Sequence, residues 1–286
     1  MNSAVRELGH LLASAFRGWK EDNAAKLGAA LAYYTVFSLA PVLVIALAIG
    51  GWVFGPEAAE QGLDSQLHEL LGAEAAQAVQ SLLASARQPA AGLSAASLGI
   101  VALLLGASGV FGELQDSLNI VWKARPPAGG GLWSYVRTRF LSFAMVLGVG
   151  FLLLVSLVIS AVLSGMTHWW AGHGQPGGLG LQVVNAAASL AVITLLFAMI
   201  FKFLPDAHVA WRDVGWGAFA TALLFTLGKQ LIGAYLGRAS IASAYGAAGS
   251  VILVLLWTYY SAQILFFGAE FTRASALRAG RAPQPP

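Results

Sequence analysis

The chain has 286 residues, of which 58% are hydrophobic and only 10% are charged. Soluble globular domains carry about 25% charged residues, so this chain has too little polar surface for a shell facing water, and lipid is its expected outer solvent. A net charge of +3 gives no case for nucleic-acid binding, and the absence of cysteine excludes disulfides, thiolate metal sites and a cysteine nucleophile.

Residues 1–27 place Leu8, Leu12, Ala15 and Trp19 at helical spacing, with Arg6, Glu7, Arg17 and Lys20 elsewhere around the wheel. This is the pattern of an amphipathic helix lying at a membrane interface. The segment has no continuous apolar stretch of the signal-peptide kind, so the first spanning helix is expected to direct insertion. Asp22 or Asn23 can cap that helix. The first span runs over about 28–54, with a kink expected near Ser38, because Pro41 removes a backbone hydrogen bond. Residues 57–88 are too polar to span. Leu63, Leu67, Leu70, Leu71, Val79, Leu82 and Leu83 form helical stripes between acidic and polar residues, which predicts an amphipathic helical pair outside the bilayer.

Further apolar runs follow at 93–112, 140–166, 179–201, 214–236 and 249–271, each long enough for a ~30 Å hydrocarbon core. Turn-forming breaks at 126–131 and 172–178 separate some of them. The fold class is therefore all-α: a polytopic bundle of six transmembrane helices, with the interfacial helix before it and the helical pair inserted at 57–88. The transmembrane domain covers 28–272, and 273–286 form a tail. Thirteen of the sixteen basic residues fall on one side of such a bundle, which holds both termini. The other side carries Arg87 and Arg238 beside Glu57, Glu60, Asp64, Glu69 and Glu74. The positive-inside rule puts both ends in the cytoplasm of a bacterial inner membrane.

Polar groups within spans are costly and mark function, so they are the site candidates. Lys229 lies inside the fifth span. It is either a counter-ion for an anionic substrate or a lysine that snorkels to the headgroups. Glu113 and Asp116 stand at i, i+3 where the second span ends, with Asn119 and Lys123 extending the stripe. This stripe either lines a cavity or faces water, with Leu114, Leu118 and Trp122 in the interface. Glu270, at the end of the sixth span, is placed to pair with a basic residue of a neighbouring helix. Tyr33, Tyr34 and Ser38 offer hydroxyls on the bundle side of the first span. The 203–213 connection is expected to be a compact turn with local ion pairs. Residues 243–250 form either a broken helix at a binding site or a close-packed entry to the last span. Gly233 and Gly237 offer a small-residue packing pair.

His10, His68, His168, His173 and His208 scatter along the chain without ligand spacing. No metal site, no cofactor and no catalytic residue is therefore expected.

Four stretches resemble the BrkB/YihY family of bacterial membrane proteins, some long labelled ribonuclease BN. They are Leu-Ala-Tyr-Tyr-Thr-Val-Phe-Ser-Leu-Ala-Pro over 31–41, residues 106–122, Phe-Leu-Pro-Asp-Ala-His-Val-Ala-Trp-Arg-Asp over 203–213, and residues 243–271. The resemblance implies a six-helix integral membrane domain. It also implies a link to envelope integrity, with transport of a lipid or envelope component as the usual suggestion, and it supplies no catalytic residues. The expectation is a non-enzymatic transporter or facilitator of an amphiphilic envelope component. Membrane lipids and an anionic or lipid-linked substrate are its expected partners, and it has no nucleic-acid partner and hydrolyses no ATP. A non-transporting envelope scaffold docking through 57–88 is the alternative, and a membrane-bound nuclease the third reading. Oligomerisation is left open.

Overall fold

A computed structural model describes residues 2–71, 73–86, 109–124, 179–207, 209–238 and 248–281. Every regular element among them is helical. The chain order is α1 (Asn2–Glu21), α2 (Ala24–Phe54), α3 (Pro56–Leu71), α4 (Ala73–Ala86), a helical stretch α5 over 109–122, α6 (Leu179–Phe203), α7 (Trp211–Arg238) and α8 (Gly249–Arg278). Three helices are long and apolar enough to cross a membrane, over Ala186–Phe203, Trp211–Leu236 and Gly249–Arg278. A fourth span is added if α2 counts as one, since it bends by 47° between Ala24–Leu39 and Val42–Trp52. The bend brackets Pro41, whose missing N–H cannot hold the preceding turn. The expected spans at 140–166 and most of 93–112 lie outside the described residues, as do the breaks at 126–131 and 172–178 and residues 243–247.

The α7–α8 crossing sets the frame. A Cβ on Gly217 would strike the side chain of Thr272, and one on Gly268 would strike Thr221. The two contacts are reciprocal, glycine on threonine in each direction, as antiparallel helices in close register require. Farther along, a Cβ on Gly228 would stand 2.6 Å from Ile264 Cδ1 and 2.9 Å from Tyr260 Oη. Each threonine hydroxyl donates within its own helix, Thr221 to the Gly217 carbonyl and Thr272 to the Gly268 carbonyl, both at 2.7 Å. No polar hydrogen is therefore left facing hydrocarbon. Lipid tails are as apolar as leucine, so burial of apolar surface does not by itself drive two such helices together, and close backbone approach does. The packing pair expected at Gly233 and Gly237 lies farther along α7. A Cβ on Gly233 would meet nothing within 4 Å, and the surroundings of Gly237 lie outside the described residues.

Two clusters of buried side chains occupy opposite ends of the bundle. At the α1 end, Leu118, Trp122, Phe201, Val214 and Phe266 interlock, with Leu114 beside them. Leu114, Leu118 and Trp122 are thus protein core, not the interfacial residues expected from the sequence. The reason is that side chains of α6, α7 and α8 join them in one buried cluster. At the other end α3 and α4 form the expected helical pair. Leu67, Ala76, Val79 and Leu83 pack against Leu43 of α2, Leu236 of α7 and Leu253 and Val254 of α8. Along α1, Ala15 is fully buried, whereas Leu8, Leu12 and Phe16 form an exposed apolar stripe. That stripe fits an interfacial helix.

Candidate functional site

The polar groups with the fewest options gather at the α1 end, where three helix termini meet. Asn23 (φ 53°) and Lys123 (φ 52°) both adopt the left-handed backbone conformation. Asparagine tolerates it and lysine seldom does. At the end of α5 the Lys123 N–H donates to the Ile120 carbonyl at 3.1 Å and the Ala124 N–H to the Asn119 carbonyl at 2.9 Å. This is the helix-ending motif that glycine usually supplies. A lysine here directs its ammonium to Asp22, and the two form an ion pair.

Asp22 is 9% exposed and sits in the turn from α1 to α2, its N–H donating to the Gly18 carbonyl at 2.8 Å. With its carboxylate committed to Lys123, the expected side-chain cap of α2 does not form. Asn23 holds the cap position without a capping side-chain bond. Glu270, 2% exposed, lies against Gly18, where a Cβ would collide with its carboxylate. Its Oε2 is 3.5 Å from Arg273 Nη1 on the same helix. The partner is thus one turn along α8, not on a neighbouring helix as expected. Gln263, two turns before Glu270, donates to the Ala24 carbonyl at 3.4 Å and packs on Gly28.

Asp206 and Val209, between α6 and α7, are held by side-chain hydrogen bonds. Asp206 accepts from Gln115 Nε2 at 3.2 Å and from Asn119 Nδ2 at 3.0 Å, and its N–H donates to Asn119 Oδ1 at 2.7 Å. Lys202 Nζ donates to the Val209 carbonyl at 2.6 Å and lies 5.5 Å from the Trp211 ring centroid. Asp213 receives a two-pronged bond from Arg281, at 2.8 and 2.6 Å. Gly280 (φ 71°) provides the left-handed turn that brings Arg281 there, and the arginine's protonated form is further favoured by that bond to Asp213. The ion pairing expected within 203–213 is thus made with the far end of the chain. His208 lies outside the described residues.

Glu113 and Asp116 follow the apolar run 93–112. Desolvation, then the neighbouring Asp116 carboxylate, pushes the Glu113 carboxyl above its usual range. Desolvation, then Asp206, does the same to Asp116. Ser38 is 2% exposed, while Tyr33 and Tyr34 are 59% and 42% exposed. The 34–38 face of α2 meets the start of α5, since a Cβ on Gly109 would be 3.4 Å from the Tyr34 ring and 3.7 Å from Ser38 Oγ. Tyr34 and Ser38 therefore stand one turn of α5 before Glu113, whereas Asp116 lies nearer Asp206.

Lys229 stands apart. The α7–α8 register places Glu270 level with residue 219, ten residues or about 15 Å along α7 from Lys229. Lys229 is half-buried and has an interacting neighbour. The sequence reading missed Asp22, Arg273, Asp206 and the Gly–Thr crossing. The repeated Gly-x-x-x-Thr spacing at 217–221 and 268–272 is the signal that could have found the last. Among the described residues no cluster of three or more His, Asp or Glu could hold a metal ion.

Residues 15–286 match the family model described as virulence factor BrkB. A UPF0761 membrane protein of Alcanivorax borkumensis is 28% identical over 260 residues, which cover 90% of this chain and 58% of that one. A UPF0761 membrane protein of Ralstonia nicotianae is 27% identical over 267 residues, 93% of this chain and 58% of its own. One from Tolumonas auensis is 31% identical over 180 residues, 62% and 56% respectively. The chain spans somewhat over half the length of these relatives. No solved structure matches it.

Proposed function

Because the chain belongs to the BrkB family of membrane proteins, we propose that it transports, or facilitates the passage of, an amphiphilic envelope component in the bacterial inner membrane. In this reading six helices span, both termini are cytoplasmic, and the protein performs no catalysis of its own. The observation that carries it is Lys229. A half-buried ammonium inside an apolar helix is costly, by roughly 2.5–3.5 kcal/mol at a bilayer centre on insertion scales. An anionic headgroup would offset that cost in addition to the neighbour that Lys229 already has. The partly exposed Tyr34, Glu113 and Asp116 are the other polar groups that would line the path of such a cargo.

The scaffold reading rests on a different observation: α3 and α4 keep Glu57, Glu60, Asp64 and Glu74 exposed while their leucines grip the bundle. Mass spectrometry of lipids retained by the gently purified protein separates the two. Selective enrichment of one anionic lipid or lipid-linked precursor, lost in Lys229→Ala, is expected for a transporter. Retention of bulk lipid only, unchanged by the substitution, would remove the transport reading and favour the scaffold. Orientation is checked separately, since a cysteine introduced at position 68 should react only with reagent added outside the cytoplasm.

A further inference from the structure

Asp22 and Glu270 approach from different elements, one from the α1–α2 turn and one from α8, and both pack around Gly18. Both carboxyl groups therefore belong to one joint beside Gly18, where Asp22 is a neighbour of Glu270. Each has one oxygen engaged by a cation, Asp22 Oδ1 by Lys123 and Glu270 Oε2 by Arg273. The remaining oxygens, Asp22 Oδ2 and Glu270 Oε1, are buried and have no hydrogen-bond partner. Two buried acceptors at this joint thus lack a donor. Leaving both of these oxygens without a donor in a desolvated joint is costly.

We infer that Asp22 and Glu270 together bind a single proton, shared between Oδ2 and Oε1, and that this bond fastens α1 to α8. One proton converts two acceptors into a donor and an acceptor and satisfies both orphan oxygens at once. A hard metal cation is a poor occupant, because Ca²⁺ takes six to eight oxygens and Mg²⁺ an octahedral set, and the other two oxygens are already engaged. The proton comes from, and returns to, water in the groove between α1 and α8, a space of about 360 Å³. His10, Arg17, Glu21, Arg273 and Arg278 line that groove beside Glu270, and Arg278 is engaged by Glu7. Lys123 faces the pair from α5. The bound proton is present at low pH and lost as pH rises, so the joint loosens on the alkaline side. As a coupling step for transport the site rests on the function proposed above. As a proton site it does not.

The test uses the full chain in lipid nanodiscs. In the wild type, an infrared carboxylic-acid band is expected at mildly acidic pH and lost at alkaline pH. Backbone amide exchange over 14–21, corrected for the intrinsic pH effect, should accelerate about tenfold, the equivalent of one charge-assisted hydrogen bond. Glu270→Gln carries a permanent N–H donor to Asp22. It should therefore keep α1 protected across the range and lack the infrared band. An α1 exchange profile with the same pH dependence in wild type and variant, or a wild-type spectrum with no titrating acid band, would overturn the assignment. The spectrum needs no variant, so a misfolded Glu270→Gln does not rescue the idea. Failure of the lipid-retention experiment would strike the transport reading and leave these outcomes unchanged.

Discussion

Within a single turn of α8, two faces fasten the bundle by opposite means. Gly268 and Thr272 meet Thr221 and Gly217 through removed side chains and inward-turned hydroxyls, so no polar group looks for a partner outside its own helix. Glu270 faces the other way, toward α1, where Asp22, Lys123 and Arg273 gather and two buried carboxylate oxygens lack donors. The crossing depends on shape alone and is indifferent to pH and salt. The α1 joint depends on charge and protonation. A helix that is rigid on one face and titratable on the other can hold the spans together while α1 is fastened or released.

The comparison breaks most sharply at the crossing. Gly217→Leu should separate α7 from α8, at about 1–3 kcal/mol or more for overpacking a contact with no slack. A large fall in thermal stability, equal at low and high salt, is expected in detergent. A salt-dependent loss would mean that the crossing is not governed by shape.

The next effect is at Lys123. Replacement by alanine leaves the buried Asp22 carboxylate without its cation, at about 1–3 kcal/mol. Lys123→Gly loses the same ion pair but suits the left-handed backbone, so it should be more stable than the alanine variant by about 1 kcal/mol. Equal melting temperatures would show that the backbone strain at this position is not felt.

The smallest change is Asn119→Ala, which removes two bonds to Asp206. A loss of about 1–2 kcal/mol is expected, together with faster proteolysis between α6 and α7. Cleavage elsewhere with that connection intact would assign the hold on it to Gln115 and Lys202 instead.

Much of the helical order was legible from the chain. The spans at 28–54, 179–201, 214–236 and 249–271 correspond to α2, α6, α7 and α8, and the polar segment 57–88 contains α3 and α4. Apolar length and period are local properties, and lipid enforces helices wherever they occur. The site was less legible. Glu270 and Glu113 could be named as costly polar groups, yet the partners Asp22 and Arg273 looked like ordinary charges beside a membrane. Leu118 and Trp122 looked interfacial because nothing local says that three other helices cover them. Lys229 and Glu270 could be grouped on cost alone, and only the register of α7 against α8 separates them.

By itself, the sequence determined that the outer solvent is lipid and, for the described residues, that the backbone is helical and roughly where the long helices lie. Composition and spacing carry those facts, because they depend on residues within a few turns of one another. The tertiary structure alone decided that Gly217 receives Thr272, that Arg281 closes on Asp213 across 68 residues, and that Asp22 meets Glu270. Those are pairings between distant residues, fixed by helix register and crossing, and no local pattern encodes which of several chemically suitable partners will arrive.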